Sequence, residues 1–202
     1  INHRNSYKTL LDIGCGEGLQ GRIFEQYGID VSYISLSLSG NFIGNKDKLV
    51  ICDFMDYEGG SFDVVWASHI LEHVQVIPDF LERIKLFLKP GGCLAITVPN
   101  DERKISFQHI HSFNAGRVLR YLLVSGYDCR DAKIITYGYN LSVVIPHVRY
   151  FQKGDNEGFQ GYNNIFNYLP PEIVVHRSWT GDCYIFGDIE ECNWNTLPEI
   201  II

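Results

Sequence analysis

The sequence lacks the features that identify several large classes of protein at once. It contains no run of lysine or arginine and its formal net charge is -7, so we expect no nucleic-acid partner. No apolar stretch approaches the roughly 20 residues that cross a bilayer, and the start carries no signal-peptide pattern. We therefore expect no membrane partner either.

Paired cysteines are also missing, although the chain has six cysteines. None forms a C-x-x-C pair, and no histidine lies near them at the spacing of zinc ligands. Cys15, Cys52 and Cys93 fall in predicted strands or in a glycine-rich turn, where cysteine serves as a small buried apolar residue. The pattern indicates a reduced, cytoplasmic protein without a metal site.

What is present is an alternation of short apolar segments and helical segments. A chain of 202 residues with 46% hydrophobic content predicts a single domain over residues 1–202. The segments are β-branched and apolar on both faces, as the strands of a covered parallel sheet are. The predicted strands are 9–13, 31–34, 49–52, 62–67, 93–98, 133–137, 141–145 and 183–187, and the predicted helices are 19–27, 78–88 and 117–124. This order predicts an α/β fold: a doubly wound, mostly parallel, Rossmann-like sheet with helices on both faces and a C-terminal antiparallel strand.

An aromatic-rich insertion is predicted at about residues 138–181, and within it 154–171 is predicted to be a long loop. Such loops often form a wall of a substrate pocket. The alternative is that the aromatic residues form a satellite core or the contact surface of a homodimer. A homodimer is therefore one of the assemblies that we expect. The aromatic residues concerned are Tyr137, Tyr139, Tyr150, Phe151, Phe159, Tyr162, Phe166 and Tyr168.

The segment LDIGCGEG places three glycines at alternate positions directly after the first predicted strand. Glycine lets the backbone turn sharply and lets a ligand lie against bare peptide groups. A dinucleotide site of the G-x-G-x-x-G type would need glycine where Leu19 stands, and a phosphate loop would need a lysine that is absent. A nicotinamide-dependent oxidoreductase is therefore a weak alternative.

Three further segments accompany this turn: CDF at 52–54, GGSFDVVWASHILEHV at 59–74 and LKPGGCLAITVPN at 88–100. Together with LLDIGCGEG they resemble the class I S-adenosylmethionine-dependent methyltransferases, most closely their small-molecule branch, over about residues 8–127. The resemblance implies that S-adenosylmethionine is the cofactor and that a methyl group passes to oxygen or nitrogen of a small-molecule or sugar-like acceptor. The alternative is a methyltransferase-like binding or assembly subunit with a weakened cofactor site and no catalysis.

The resemblance also implies roles for particular residues. A carboxylate after the first strand would hold the cofactor's amino group, and the glycine turn would follow its methionine part. A carboxylate and a ring after the third strand would meet its adenine, unless they serve only as a helix cap and a core aromatic. The end of the fourth strand would line the methyl region. The residues are, in that order, Asp12; Gly14, Cys15, Gly16 and Gly18; Asp53 and Phe54; and Ala67 and Ser68.

The end of the second strand departs from the family pattern. There the family has an acid that binds both ribose hydroxyls, whereas this chain has Ser35. A neutral serine contact replaces a charge-assisted one, which implies a loss of about one to two powers of ten in affinity. Asp30 does not substitute, because that alignment would shorten the first helix to about eight residues and misplace the loop at Gly28.

Histidines follow the fourth and fifth strands. Methyl transfer to a hydroxyl calls for a base near the transferring methyl, and the resemblance makes His69 the first choice and His111 the second. His73 is expected to be structural. His109 and His111 either read the substrate or cap a helix at Ser112. The spacing supplies no carboxylate that would complete a metal site with His109 and His111.

Overall fold

The computed structural model describes residues 7–100, 107–151, 164–180 and 182–194. Ten strands are present in these ranges: β1 Thr9–Ile13, β2 Asp30–Ser35, β3 Leu49–Ile51, β4 Phe62–Ser68, β5 Leu88–Pro99, β6 Lys133–Tyr137, β7 Asn140–Ile145, β8 His176–Arg177, β9 Cys183–Tyr184 and β10 Glu191–Cys192. The α-helices are α1 Leu19–Gln26, α2 Ile77–Ile84 and α3 Ala115–Val124. Short 3₁₀ turns occupy Lys46–Lys48, Phe54–Asp56, Leu71–His73, Lys85–Phe87 and Ile165–Tyr168.

Eight strands form one sheet in the order β10-β6-β7-β5-β4-β1-β2-β3. β1 pairs in parallel with β2 and β4, β2 with β3, and β4 with β5. β7 runs antiparallel between β5 and β6. This pairing confirms the mostly parallel sheet that the alternating segments predicted. A connection that crosses back over the sheet allows the next strand to run parallel to the one before it.

Both faces of this sheet are covered, as the apolar strands predicted. Leu10 and Leu11 are neighbours in β1, yet they belong to different buried clusters because side chains alternate across a strand. Leu10 packs in the cluster that includes Phe24 of α1. Leu11 packs in the larger cluster that contains α2 and α3. Helices on both faces are thus confirmed.

Helix α2 shows why the sequence folds as it does locally. Pro78 stands in its first turn, where no hydrogen bond is lost, and the buried positions recur at helical spacing. The predicted end at residue 88 is wrong. Leu88 instead opens β5 by pairing with Phe62, and the strand continues through the Gly91 turn. A Pro-Gly-Gly segment therefore forms the irregular start of a strand, next to a register shift in the pairing.

Helix α3 begins two residues earlier than predicted. Its N-cap is Asn114, whose side chain accepts a hydrogen bond from the backbone N–H of Arg117 at 3.0 Å. The expected cap at Ser112 is wrong, because Ser112 instead accepts Arg117 Nη1 at its carbonyl oxygen, at 2.8 Å.

The C-terminal part differs from the prediction in two ways. The predicted strand 183–187 is confined to β9, which pairs with β8 in a separate hairpin, and the antiparallel edge of the main sheet is β10. The aromatic insertion does not begin near 138, because β7 lies in the main sheet and the insertion starts after Ile145.

Part of the aromatic set packs against the main core and forms no separate satellite cluster among the described residues. Phe151 stacks on Tyr168 with ring centroids 3.9 Å apart, and both pack against the main core. Phe159, Tyr162 and most of the predicted loop 154–171 lie outside the described residues. Among the helices described here, none is both long and apolar enough to cross a membrane. The assignment of 1–202 to one domain stays a prediction.

The contribution of core packing to stability can be tested by comparing a buried leucine with an exposed one. Leu81 in α2 is 0% exposed, whereas Leu86 in the following turn is 69% exposed. Leu81→Ala is expected to lower the free energy of unfolding by about 2 to 5 kcal/mol, because it removes buried apolar contacts and leaves a cavity. Leu86→Ala should change it by less than about 0.5 kcal/mol. Urea unfolding with unchanged slope measures both, and equal losses in the two variants would contradict this packing.

Candidate functional site

The carboxyl ends of β1, β2 and β4 meet at one edge of the sheet, and most of the predicted site residues stand there. Asp12 is near the end of β1, Ser35 ends β2 and Ser68 ends β4. In open parallel sheets this edge is where ligands bind. The candidate site is therefore the crevice above these three strand ends.

The glycine turn between β1 and α1 has a conformation that only glycine adopts easily. Gly14, Gly16 and Gly18 have φ angles of 72°, 54° and 79°. A Cβ on Gly14 would lie 1.8 Å from Cδ1 of Ile70, whereas a Cβ on Gly16 would meet nothing within 4 Å. Ile70 thus packs directly on the start of the turn, and the backbone at Gly16 faces open space that a ligand can enter.

Two residues of the turn have structural tasks as well. Gly18 is the N-cap of α1 in the left-handed conformation. Cys15 is 5% exposed and packs among the core residues on the α1 face of the sheet. Burial, together with the nearby charge of Asp12, raises the pKa of the Cys15 thiol to about 12. A ligand on the turn would therefore contact Cys15 through its backbone and not through a reactive thiolate.

Asp12 is a buried carboxylate with incomplete hydrogen bonding. Its side chain is 2% exposed, and Oδ2 has no hydrogen-bond partner among the residues that the structure describes. Burial raises the pKa of Asp12 to about 7, against the opposing effect of a hydrogen bond from the backbone of Gly21 in the first turn of α1. A carboxylate held in this way is costly unless a positive group joins it, and such groups are common at functional sites.

Ser35 stands at the end of β2, paired with Ile51 of β3. Asp30 starts the same strand and forms an ion pair with Lys48, so it lies at the opposite edge of the sheet from the glycine turn. The segment after Ser35 is not helical. It returns to the turn, where the Ile43 backbone N–H donates to the Glu17 carbonyl at 2.8 Å.

The two residues expected at the adenine differ in exposure. Asp53 is exposed and caps the 3₁₀ turn that follows it, accepting the Met55 backbone N–H at 2.8 Å. Phe54 is 5% exposed and packs edge-on to Phe80 with ring centroids 5.0 Å apart. The ring of Phe54 thus belongs to the core, and its place beside a ligand ring stays a prediction. Asp53 keeps a carboxylate oxygen that faces outward.

Beyond β4, the predicted base is held by several contacts. Ala67 is fully buried and Ser68 half-buried. His69 has a φ of 56°, unusual for a residue with a side chain, and its backbone N–H donates to the Thr97 carbonyl at 2.8 Å. Its Nδ1 lies 3.2 Å from Glu72 Oε1, and its Nε2 lies 2.9 Å from Asn140 Oδ1. Both ring nitrogens therefore have defined partners.

Glu72 is the functional candidate that the sequence reasoning missed. It is 1% exposed, Oε1 contacts His69, and Oε2 has no hydrogen-bond partner within the described ranges. Its carbonyl oxygen accepts the backbone N–H of Ile110 at 2.9 Å. A signal was present: a carboxylate three residues after His69 in an otherwise apolar turn has reason to be buried only if it binds something.

Three further histidines, His73, His109 and His111, lie around the same turn. His111 lies in a shallow surface pocket with Arg117 and Tyr121, and its Nε2 donates to the Val74 carbonyl at 2.9 Å. His111 is thus joined to His69 only through the Glu72 turn. His73 and His109 have ring centroids 5.0 Å apart. The carboxylate of Glu72 lies near both rings. The sequence spacing alone had indicated no carboxylate near His109.

The chain is similar in sequence and in fold to known proteins. A family profile described as "Methyltransferase domain" matches residues 2–126. The ubiquinone biosynthesis O-methyltransferase of Paraburkholderia xenovorans is 31% identical over 104 residues, which are 46% of this chain and 45% of that protein. The chain thus spans less than half the length of this curated relative.

Solved structures share the fold at lower identity. The 1,6-didemethyltoxoflavin-N1-methyltransferase of Burkholderia thailandensis, crystallised with 1,6-didemethyltoxoflavin and S-adenosylhomocysteine, superposes with a TM-score of 0.63 at 17% identity and covers 74% of each chain. The [4+2]-cyclase SpnF superposes with a TM-score of 0.53 at 22% identity, over 63% of this chain and 54% of that one. These matches establish the fold.

The burial of Asp12 predicts a specific pH dependence of stability. The pKa of Asp12 is about 7 in the folded protein, against 3.8 for an aspartate fully exposed to water, so the folded state holds an extra proton between these values. Wild-type stability therefore falls as pH rises through this window. Because asparagine cannot ionise, Asp12→Asn should gain about 2 to 3 kcal/mol relative to wild type between about pH 5 and about pH 8.5.

Asp63→Asn provides the matched control for this measurement. Burial alone would raise the pKa of Asp63, but hydrogen bonds from Lys89, Lys8 and Thr9 lower it to about 2. Its titration window lies below that of Asp12, so the loss caused by Asp63→Asn should be the same at both pH values. Chemical unfolding at each pH gives the free energies. A difference between Asp12→Asn and wild type that does not change with pH would contradict the buried carboxylate.

Proposed function

This chain belongs to the methyltransferase domain family, and on that premise we propose that it transfers a methyl group from S-adenosylmethionine to oxygen or nitrogen of a small-molecule acceptor. The observation that carries the proposal is the pairing of a buried, incompletely bonded Asp12 with a glycine turn whose backbone faces open space at Gly16. The prediction of a class I S-adenosylmethionine-dependent methyltransferase is confirmed by the family match.

The residues at the turn fit this cofactor. The unpartnered Oδ2 of Asp12 would pair with the ammonium of the methionine part, a charge-assisted contact that offsets the cost of burial. The space beside Gly16 would be filled by a Cβ, so glycine keeps it open for the ligand chain. Asp53, exposed after β3, is available to an amine, and Ser35 to a ribose hydroxyl.

The reacting end would use His69 and Glu72. S-adenosylmethionine supplies a methyl group on a positively charged sulfur, which needs only an aligned nucleophile. His69 would remove the proton from an acceptor hydroxyl at Nε2 when its ring is neutral with the hydrogen on Nδ1, and the acceptor would then take the place of Asn140 at Nε2. Glu72 would hold the Nδ1 proton and stabilise the imidazolium that forms, as buried carboxylates do in other histidine bases. An amine acceptor would not need this step.

Acceptor chemistry and setting are inferred more broadly. One relative is named for O-methylation and one fold neighbour for N-methylation, which supports a small-molecule acceptor of either kind. None of the six cysteines forms a disulfide in the described structure, in keeping with the cytoplasmic location that we propose. A homodimer through the aromatic segment remains an expectation. The second candidate, a binding subunit without catalysis, draws on Ser35, the neutral residue at the end of β2.

Calorimetric titration tests the cofactor assignment. Wild type should bind both S-adenosylmethionine and S-adenosylhomocysteine, and Asp12→Asn should weaken binding of each at least about tenfold through loss of a charged contact. Wild-type affinity should also rise between about pH 6 and about pH 8, because binding requires the ionised form of a group with a raised pKa. No binding of either compound at millimolar concentration would contradict the proposed function.

Ser35→Asp tests the alignment of β2. If Ser35 faces the ribose, the new carboxylate should strengthen cofactor binding about tenfold. Ser61→Asp is the control, since it adds the same charge directly before β4, at the opposite edge of the sheet. A Ser35→Asp protein that binds no better than the Ser61→Asp protein would show that the ribose lies elsewhere.

The proposed base is tested with His69→Gln. This variant should lose turnover while its affinity for the cofactor stays unchanged.

A further inference from the structure

Three side chains lie close together beside the reacting end of the site. The proposed methyl transfer uses one of them, Glu72, but does not need all three. Glu72, His73 and His109 each present one oxygen or nitrogen, and these atoms all lie within 4.8 Å of one another. Glu72 and His73 come from the turn after β4, whereas His109 comes from the segment before α3. The fold therefore joins parts of the chain whose sequence spacing gives no sign of a common site.

One ring nitrogen of His73 is already paired with a backbone carbonyl oxygen. Its Nδ1 lies 2.8 Å from the carbonyl oxygen of Gln108. A carbonyl oxygen only accepts hydrogen bonds, so Nδ1 carries the hydrogen and Nε2 keeps a lone pair. Metal-bound histidines almost always donate their other N–H to a carbonyl or a carboxylate, which fixes the ring and its tautomer.

The backbone on either side of His109 is tied to the same turn. Before it, the Gln108 carbonyl accepts His73. After it, the Ile110 backbone N–H donates to the Glu72 carbonyl at 2.9 Å, and the His111 ring donates to the Val74 carbonyl at 2.9 Å. His109 is thus held opposite the turn by neighbours on both sides. Such support is what a preorganised ligand set needs.

Glu72 adds an independent observation that points to a ligand. It is 1% exposed, and His69 satisfies Oε1 but nothing in the described structure satisfies Oε2. A buried carboxylate oxygen without a partner costs free energy that a cation in contact with it would recover. The cluster thus contains a buried negative charge that lacks one partner, together with two imidazoles.

We propose that Glu72, His73 and His109 form a binding site for a divalent transition-metal cation. Two imidazole nitrogens and one carboxylate oxygen match Zn²⁺, and the same donors also suit Mn²⁺, Fe²⁺ and Co²⁺. Three protein ligands leave a coordination position open, as catalytic metal sites do and structural zinc sites do not. Because Glu72 also contacts His69, the ion would lie next to the base of the proposed reaction.

Zn²⁺ alone serves as the probe, so this test does not depend on cofactor binding or on turnover. Zn²⁺ is titrated by calorimetry into metal-stripped protein that is kept reduced with a phosphine, and saturable binding of one ion per chain is expected. His73→Ala and His109→Ala should each weaken binding at least about tenfold, since even an outer partner of a metal ligand is worth about that much. Glu72→Gln should do the same, and circular dichroism checks that each variant is folded.

The matched control is His147→Ala, which removes an exposed histidine outside the cluster and should bind Zn²⁺ as wild type does. A Co²⁺ spectrum without thiolate bands in wild type excludes binding by the free cysteines and supports the site. Since His73 is exposed, its variant should fold even if Glu72→Gln does not. The proposal is overturned if wild type shows no saturable Zn²⁺ binding, or if the two histidine variants bind Zn²⁺ as tightly as His147→Ala.

Discussion

The arrangement of the reacting end depends on one buried carboxylate. Glu72 is almost fully enclosed, and an ionisable group in that position is unfavourable unless its neighbours compensate for lost water. His69 binds one oxygen, and the same residue's carbonyl accepts the segment before α3 through Ile110. The side chain thus sets the orientation of the base, and the backbone sets the position of the histidines that follow β5.

The two ends of the site follow the same physical rule. Asp12 at the glycine turn and Glu72 at the reacting end are both buried, and each has one oxygen without a hydrogen-bond partner in the described structure. Each would be stabilised by a positive group, which none of the described residues provides. We infer an ammonium at Asp12 and a divalent cation at Glu72. Because each carboxylate is already buried in the folded chain, its partner binds in a site with little competing water.

Much of the fold could be predicted from the sequence because it depends on local pattern. Apolar strands alternating with helical segments lead to a parallel sheet, and glycines at alternate positions lead to a turn. The errors arose where tertiary contacts decide. Leu88 continues into a strand because Phe62 is there to pair with it. Glu72 was missed because its meeting with His109 joins distant parts of the chain, which spacing cannot reveal.

The central claim is that the cofactor lies on the glycine turn and reaches the Glu72 turn. Hydrogen exchange with and without S-adenosylhomocysteine tests it directly, because a bound ligand lowers local opening where it touches the backbone. The account predicts slower exchange in peptides covering residues 14–18 and 68–72, with little change in the β8–β9 hairpin. Unchanged exchange in both peptides under saturating ligand, or slowing confined to the hairpin, would contradict it.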